Sequence, residues 1–251
     1  MKNFNTIYGS IIVAEVGSDG IVVSSDSRAM IKQNNQPHSY FDGTAKITQI
    51  RSLIFGAVGV GSVGGKGILT IAKKIALTPT WPGDMQGFVR LFGQSVKRNF
   101  SLSEIELLKQ SEFVLAGYSN GKPTIFKFTL EDLETNTVWP APQYYVTQGP
   151  AFPFLNYDPK LDCAKLAELA EDGIKEFAKK FEMDYFIGGP ISSAQIKPSR
   201  AITWLKNQFD DKVDQNIDAL IAQGKIKTTL IDLKQVALSD SLIKAYLKIN
   251  P

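Results

Sequence analysis

Near the amino end, two β-branched apolar runs, residues 10–16 and 21–23, are separated only by Gly17-Ser18-Asp19-Gly20. β-Branched side chains pack well on a pleated surface, and so short a Gly/Asp gap makes a turn, with no room for a crossover. The fold therefore starts with consecutive strands, the second ending at Asp26-Ser27-Arg28. A polar loop over 32–39 leads to short strands over 44–50 and 53–58, which meet near Arg51-Ser52. Ile68, Leu69, Ile71, Ala72, Ile75 and Ala76 repeat at helical period, and Phe88, Leu91, Phe92 and Val96 mark a second helix beyond Pro79 and Pro82.

Runs at 112–118 and 124–129 flank Ser119-Asn120-Gly121-Lys122 as a hairpin, and a further strand covers 143–147. A long helix starts near Pro159-Lys160-Leu161-Asp162, with Leu166, Leu169, Ile174, Phe177 and Phe181 as its apolar face. Strands over 192–196 and 201–205 complete the body. Strands, two helices, strands, helix, strands is the order of a layered α+β fold, whereas a parallel sheet would alternate βαβ units. Residues 207–251 differ: Val213, Ile217, Leu220 and Ile221 suggest one amphipathic helix, and Leu242, Ile243, Tyr246 and Leu247 another. They read as a helical appendage.

A single cysteine, Cys163, and a single histidine, His38, exclude an intrachain disulfide, CxxC motifs, HExxH and multi-histidine metal sites. No metal or cofactor is expected. His38 lies in the polar stretch over 34–39 and reads as a surface loop residue, so an enzyme built on this chain would draw its base from elsewhere. With 28 Lys plus Arg against 25 Asp plus Glu, the formal charge is +3, without a basic block. Nucleic-acid binding has no support in that balance. The apolar runs are too short to span a bilayer, and residues 1–16 lack a signal-peptide pattern. The expectation is a soluble, cytoplasmic protein of one large domain, or of a domain with an appendage.

Gly59-Val60-Gly61-Ser62-Val63-Gly64 matches GxGxxG between a strand and a helix. A dinucleotide site needs an acid at the end of the next strand, and Pro79, Pro82 and Gly83 prevent a strand leading to Asp84. The Walker pattern fails too, because Gly67 follows Lys66. Close backbone packing, or main-chain N–H groups offered to an oxyanion, fits these glycines better. Asp26 beside Arg28 can be a surface ion pair, Lys46 can face solvent on an alternating strand, and Ser10 is one serine among many.

Taken in order, these residues resemble the proteasome β-type family of N-terminal nucleophile hydrolases. The likeness spans about residues 9–206. It rests on the segment over 19–29, on Lys46-Ile47, on the segment over 56–61, on Ala116-Gly117-Tyr118 with Pro123-Thr124-Ile125, and on Asp184-Tyr185 before Gly188-Gly189. The resemblance implies a four-layer αββα sandwich with two central antiparallel sheets, plus the C-terminal helical extension. It implies a propeptide over 1–9, a hydrolase domain over 10–206 and the appendage over 207–251.

Ungapped alignment on Asp26 puts Ser10 at the family's nucleophile, where threonine is usual, and Gly9 just before the self-cleavage point. Thr6 is the alternative nucleophile and requires a four-residue insertion. Freed by autoprocessing, the Ser10 amine would act as base, since an α-amino group ordinarily titrates at about 8. Lys46 would supply positive charge, Asp26 would hold Lys46, and Asp184 would be the second aspartate. Backbone N–H groups of Gly59, Val60 and Gly61 would stabilise the oxyanion. The implied substrate pocket comprises Ala29, Thr44, Val58 and Ser62, suited to small or medium apolar side chains. The family's two helper serines are replaced by Gln148 and Ile187. The resemblance thus implies a threonine/serine-type peptidase forming a homo-oligomer, of which a ring is one form. Two alternatives are a catalytically silent structural subunit and a small-molecule amidase or acylase.

Overall fold

The computed structural model describes residues 6–9, 11–33, 36–135, 137–147, 157–209 and 217–249. From the amino end come β1 (Thr6–Gly9), β2 (Ile12–Gly17), β3 (Gly20–Ser25), β4 (Ala29–Gln33), β5 (Gln36–Phe41), β6 (Ile47–Ile50), β7 (Leu53–Val63) and β8 (Lys66–Gly67). Helices α1 (Ile68–Ala76), α2 (Met85–Asn99) and α3 (Leu102–Leu108) follow, then the hairpin β9 (Glu112–Ser119) and β10 (Lys122–Phe128). Next are α4 (Leu130–Thr135), β11 (Trp139–Pro140), β12 (Tyr144–Val146) and α5 (Cys163–Lys180). The chain continues through β13 (Ser192–Ile196), β14 (Ile202–Trp204), α6 (Ile217–Ala222), β15 (Thr229–Leu230) and α7 (Leu233–Ile249).

The local chemistry explains several boundaries. Asn120 and Gly121 take φ of 51° and 75°, the left-handed pair that a two-residue hairpin turn needs. Asp84 and Asp162 cap α2 and α5 by accepting the N–H of Gly87 and Lys165, and Ser101 with Glu104 forms a capping box on α3. The expected polar loop over 32–39 is instead a hairpin of β4 and β5, which places His38 in a strand.

Two antiparallel sheets organise the body. The smaller runs β12-β2-β3-β13-β14. The larger has ten strands along β11-β10-β9-β7-β1-β4-β5-β15, with β6 and β8 also on β7. Apolar residues of β2 and β3, such as Ile12 and Val23, meet Ile47, Ile54 and Val114 of the larger sheet. At Gly56 a Cβ would lie 2.6 Å from Ile12 Cδ1, so glycine sets how closely the sheets approach. On the far side of the larger sheet, Phe55, Phe113 and Phe128 pack with Phe88 and Phe92 of α2. The smaller sheet packs under α5 through Val13 with Ile174 and Phe177, and through Val22 with Cys163 and Leu166, which is why all six residues of β3 are buried.

The expected four-layer αββα sandwich is corrected by this topology. The architecture is mixed α/β on two antiparallel sheets of unequal width. The extra width comes from residues 6–9, inserted between β4 and β7, and from β15, which adds to β5. There Ala29, Ile31 and Phe41 pack against Leu220 and Ile226 of the C-terminal segment. Helix α7 reaches the turn after α5, where Ser239 Oγ donates to the Glu182 carbonyl at 2.7 Å. No described helix is long and apolar enough to cross a membrane.

Candidate active site

Asp26 ends β3 and is fully buried. Its Oδ1 accepts the Ile11 N–H at 3.1 Å; its Oδ2 accepts the N–H groups of Arg28 at 3.2 Å and Gly188 at 3.1 Å. The surface-pair reading of Asp26 with the Arg28 side chain therefore does not hold. The Arg28 guanidinium grips Asp42 instead, Nε on Oδ1 at 2.6 Å and Nη2 on Oδ2 at 2.8 Å, while stacked 4.2 Å over the Tyr40 ring. Nη1 donates to the Asp184 carbonyl. A fork of this kind fixes two oxygens in one plane, as a lysine cannot. A Cβ at Gly188 would stand 3.1 Å from Arg28 Cζ, and one at Gly189 (φ 72°) 2.7 Å from Ser27 Oγ, so this turn admits glycine alone. The Gly188-Gly189 pair is the sequence signal for this clamp; Asp42 carries none.

Lys46 is 6% exposed and directly precedes β6, its carbonyl accepting the Ala57 N–H at 3.0 Å. Burial of an ammonium requires compensating partners, so the solvent-facing reading is excluded. Asp184 differs from expectation. Its side chain is exposed, and its main-chain carbonyl is what reaches the clamp. Ile187 is buried in the core beside α5.

The glycine segment lies within β7 and is not a loop. Gly59 has φ 83°, and a Cβ there would lie 2.5 Å from the Gln110 carbonyl oxygen. The Val60 N–H donates to Ser111 Oγ at 3.0 Å, and that hydroxyl donates back to the Val60 carbonyl at 3.1 Å. Val60 is thus corrected as an oxyanion donor, since its N–H is already engaged. Space around Gly61 is open.

Beside this segment runs β1. Gly9 pairs with Gly59, Tyr8 with Val60, Ile7 with Ser62 and Thr6 with Val63, the register shifting between Ile7 and Tyr8. On the other side Tyr8, Ile7 and Thr6 pair with Met30, Ile31 and Lys32. Ser10 lies outside the described residues, as does Gln148. The two neighbours of Ser10 are placed: Gly9 opposite Gly59, and Ile11 on Asp26. Thr6, the alternative nucleophile, sits at the other end of β1.

The four expected pocket residues, Ala29, Thr44, Val58 and Ser62, are all buried. Ala29 packs with Leu220 and Ile226, and Val58 with the core between the sheets. Ser62 pairs with Ile7 and Gly67. Thr44 donates its N–H to the Ser27 carbonyl at 3.0 Å, while its buried Oγ1 has no partner. The Ser25 hydroxyl is likewise buried and unpartnered. Sequence reasoning also missed Glu15. Fully buried on β2, it pairs across the sheet with Tyr144, whose ring stacks on Tyr157 at 5.3 Å, and neither carboxyl oxygen has a partner among the described residues. Burial pushes its carboxyl up to about 8. Among the described residues no group of three or more His, Cys, Asp or Glu could hold a metal ion.

No family model matches this chain, and no curated protein does. Among solved structures it is similar to the Anbu (Gly-1) mutant from Hyphomicrobium sp. strain MC1, with TM-score 0.55, 16% identity, and 97% of this chain and 100% of that one covered. Anbu from the same strain gives TM-score 0.54 and 14% identity over 86% of this chain and 94% of that one. Anbu (ancestral beta-subunit) from Yersinia bercovieri gives 0.56 and 12%, over 95% of each chain. At these identities the likeness is one of fold. The assignment to the proteasome β-type family is thereby corrected: the comparison yields Anbu structures, and no family match supports the narrower name.

Proposed function

We propose that this chain is an amide-bond hydrolase with Ser10 as nucleophile, active after release of residues 1–9. The observation that supports it is the β1 register, which puts Gly9 against Gly59 while the Ile11 N–H rests on Asp26. Gly9 and Ile11, on either side of Ser10, are thereby held by Gly59 and by a buried carboxylate. In the first step, Ser10 Oγ attacks the Gly9 carbonyl carbon. The C–N bond breaks as an ester forms, and the departing nitrogen takes a proton. Water then cleaves the ester, releasing residues 1–9 as an acid and leaving a free α-amine.

In turnover that amine takes the hydroxyl proton as Oγ attacks a substrate carbonyl and returns it to the departing nitrogen as the amide C–N bond breaks; water then hydrolyses the acyl-enzyme to the acid and free Ser10. Charge on Lys46 favours the neutral amine, Asp26 orients the strand end through Ile11, and the N–H groups of Gly59 and Gly61 face the oxyanion. Extended peptides are the substrates, and the working form is a homo-oligomer with 207–251 as an appendage to the body. Fluorogenic peptides should be hydrolysed by the wild type and at least about a hundredfold more slowly by Ser10→Ala, the loss expected when a nucleophile is removed. Equal rates would refute the assignment.

A catalytically silent subunit is the second reading. It is favoured by the two-sided pairing of β1, which makes residues 6–9 an interior strand, and by the buried Ile187 in place of a helper serine.

A further inference from the structure

A second feature of the surface lies away from Asp26. It is a cleft of about 610 Å³ between the outer face of α2 and the segment after β10, within the size range of sites that bury a small ligand. Val89, Phe126, Leu133 and Val138 give it an apolar floor. Gly93 keeps it open, since a Cβ there would already touch Leu133 Cδ1 at 3.5 Å. Trp139, next to Val138, is 71% exposed, as few tryptophans are unless they meet a partner.

The rim is cationic. Arg90 and Lys97 line the cleft against a single lining acid, Asp84, and the sequence of α2 contains no acid. Neither cation forms an ion pair among the described residues. The acids nearby are committed elsewhere. Asp84 caps α2 through the Gly87 N–H, and Asp132 accepts from Thr129. An apolar floor beneath unpaired cations selects for a ligand that is apolar and negatively charged together.

We propose that this cleft binds an acidic, leucine-type peptide segment of a partner protein, with apolar side chains on the floor and carboxylates on Arg90 and Lys97. The site is independent of the hydrolytic reading. A short fluorescein-labelled peptide alternating leucine and glutamate should bind the full chain in a polarisation titration, with affinity falling as salt rises. A leucine–lysine peptide of equal length should not bind. Arg90→Glu combined with Lys97→Glu should weaken the acidic peptide at least tenfold and admit the basic one. Gly93→Leu should weaken binding by filling the cleft, with both charges intact and an unchanged circular dichroism spectrum. Equal binding of the two peptides would overturn the proposal. So would unchanged affinity in either folded variant, or equally tight binding of a glutamate peptide lacking leucine, which would reduce the site to bulk electrostatics.

Discussion

At the scale of single residues, Arg28 and Glu15 carry the most consequence. Arg28 ties the end of β3 to Asp42 on the stretch after β5 and to the turn that gives its Gly188 N–H to Asp26. A lysine keeps the charge and loses the fork, so Arg28→Lys should lower stability by about 1–3 kcal/mol, the range for hydrogen bonds to charged groups. Urea unfolding at neutral pH checks this, and an unchanged midpoint would contradict the clamp. For Glu15 the sign follows from proton counting. The unfolded chain loses this proton near the ordinary 4.5, whereas the folded protein keeps it to about 8. Between those values the native state holds more protons, so stability falls as pH rises, by up to about 1.4 kcal/mol per pH unit. Glu15→Gln should flatten that slope in urea titrations repeated across the window; an unaltered slope would assign it to other groups.

At the scale of elements, local chemistry is legible wherever one stretch decides the outcome. The Asn120-Gly121 hairpin and the Asp162 start of α5 need no long-range information. The β4–β5 hairpin is hidden because Pro37 and its polar neighbours look like a loop, and pairing with β1 and β15 overrides that propensity. Strand β1 is hidden for another reason: the resemblance casts residues 1–9 as a propeptide, and a segment destined for removal has no place in a sheet. The contact of Ala29 with Leu220 and Ile226 of the C-terminal segment is hidden because it joins residues far apart in sequence. Since β1 alone joins β4 to β7 among the described strands, it should hold the uncut chain together. In a Ser10→Ala background, Ile7→Pro removes a ladder donor and should cost about 1–3 kcal/mol. Equal melting temperatures with and without that proline would mean that β1 contributes nothing to the uncut form.

At the scale of the whole molecule, the mixed α/β body on antiparallel sheets of unequal width has a fold similar to the Anbu structures, at 12–16% identity. That likeness bears on the architecture alone; the proposed chemistry rests on Asp26, Lys46, Gly59 and the strand that runs past them. The same strand decides between the two functional readings, because a hydrolase must shed it and a silent subunit keeps it. Intact-mass spectrometry of purified wild type and Ser10→Ala separates the two most directly. The wild-type mass should lack residues 1–9, and the Ser10→Ala mass should retain them. A wild type that keeps its full amino terminus while hydrolysing peptides would overturn the Ser10 mechanism.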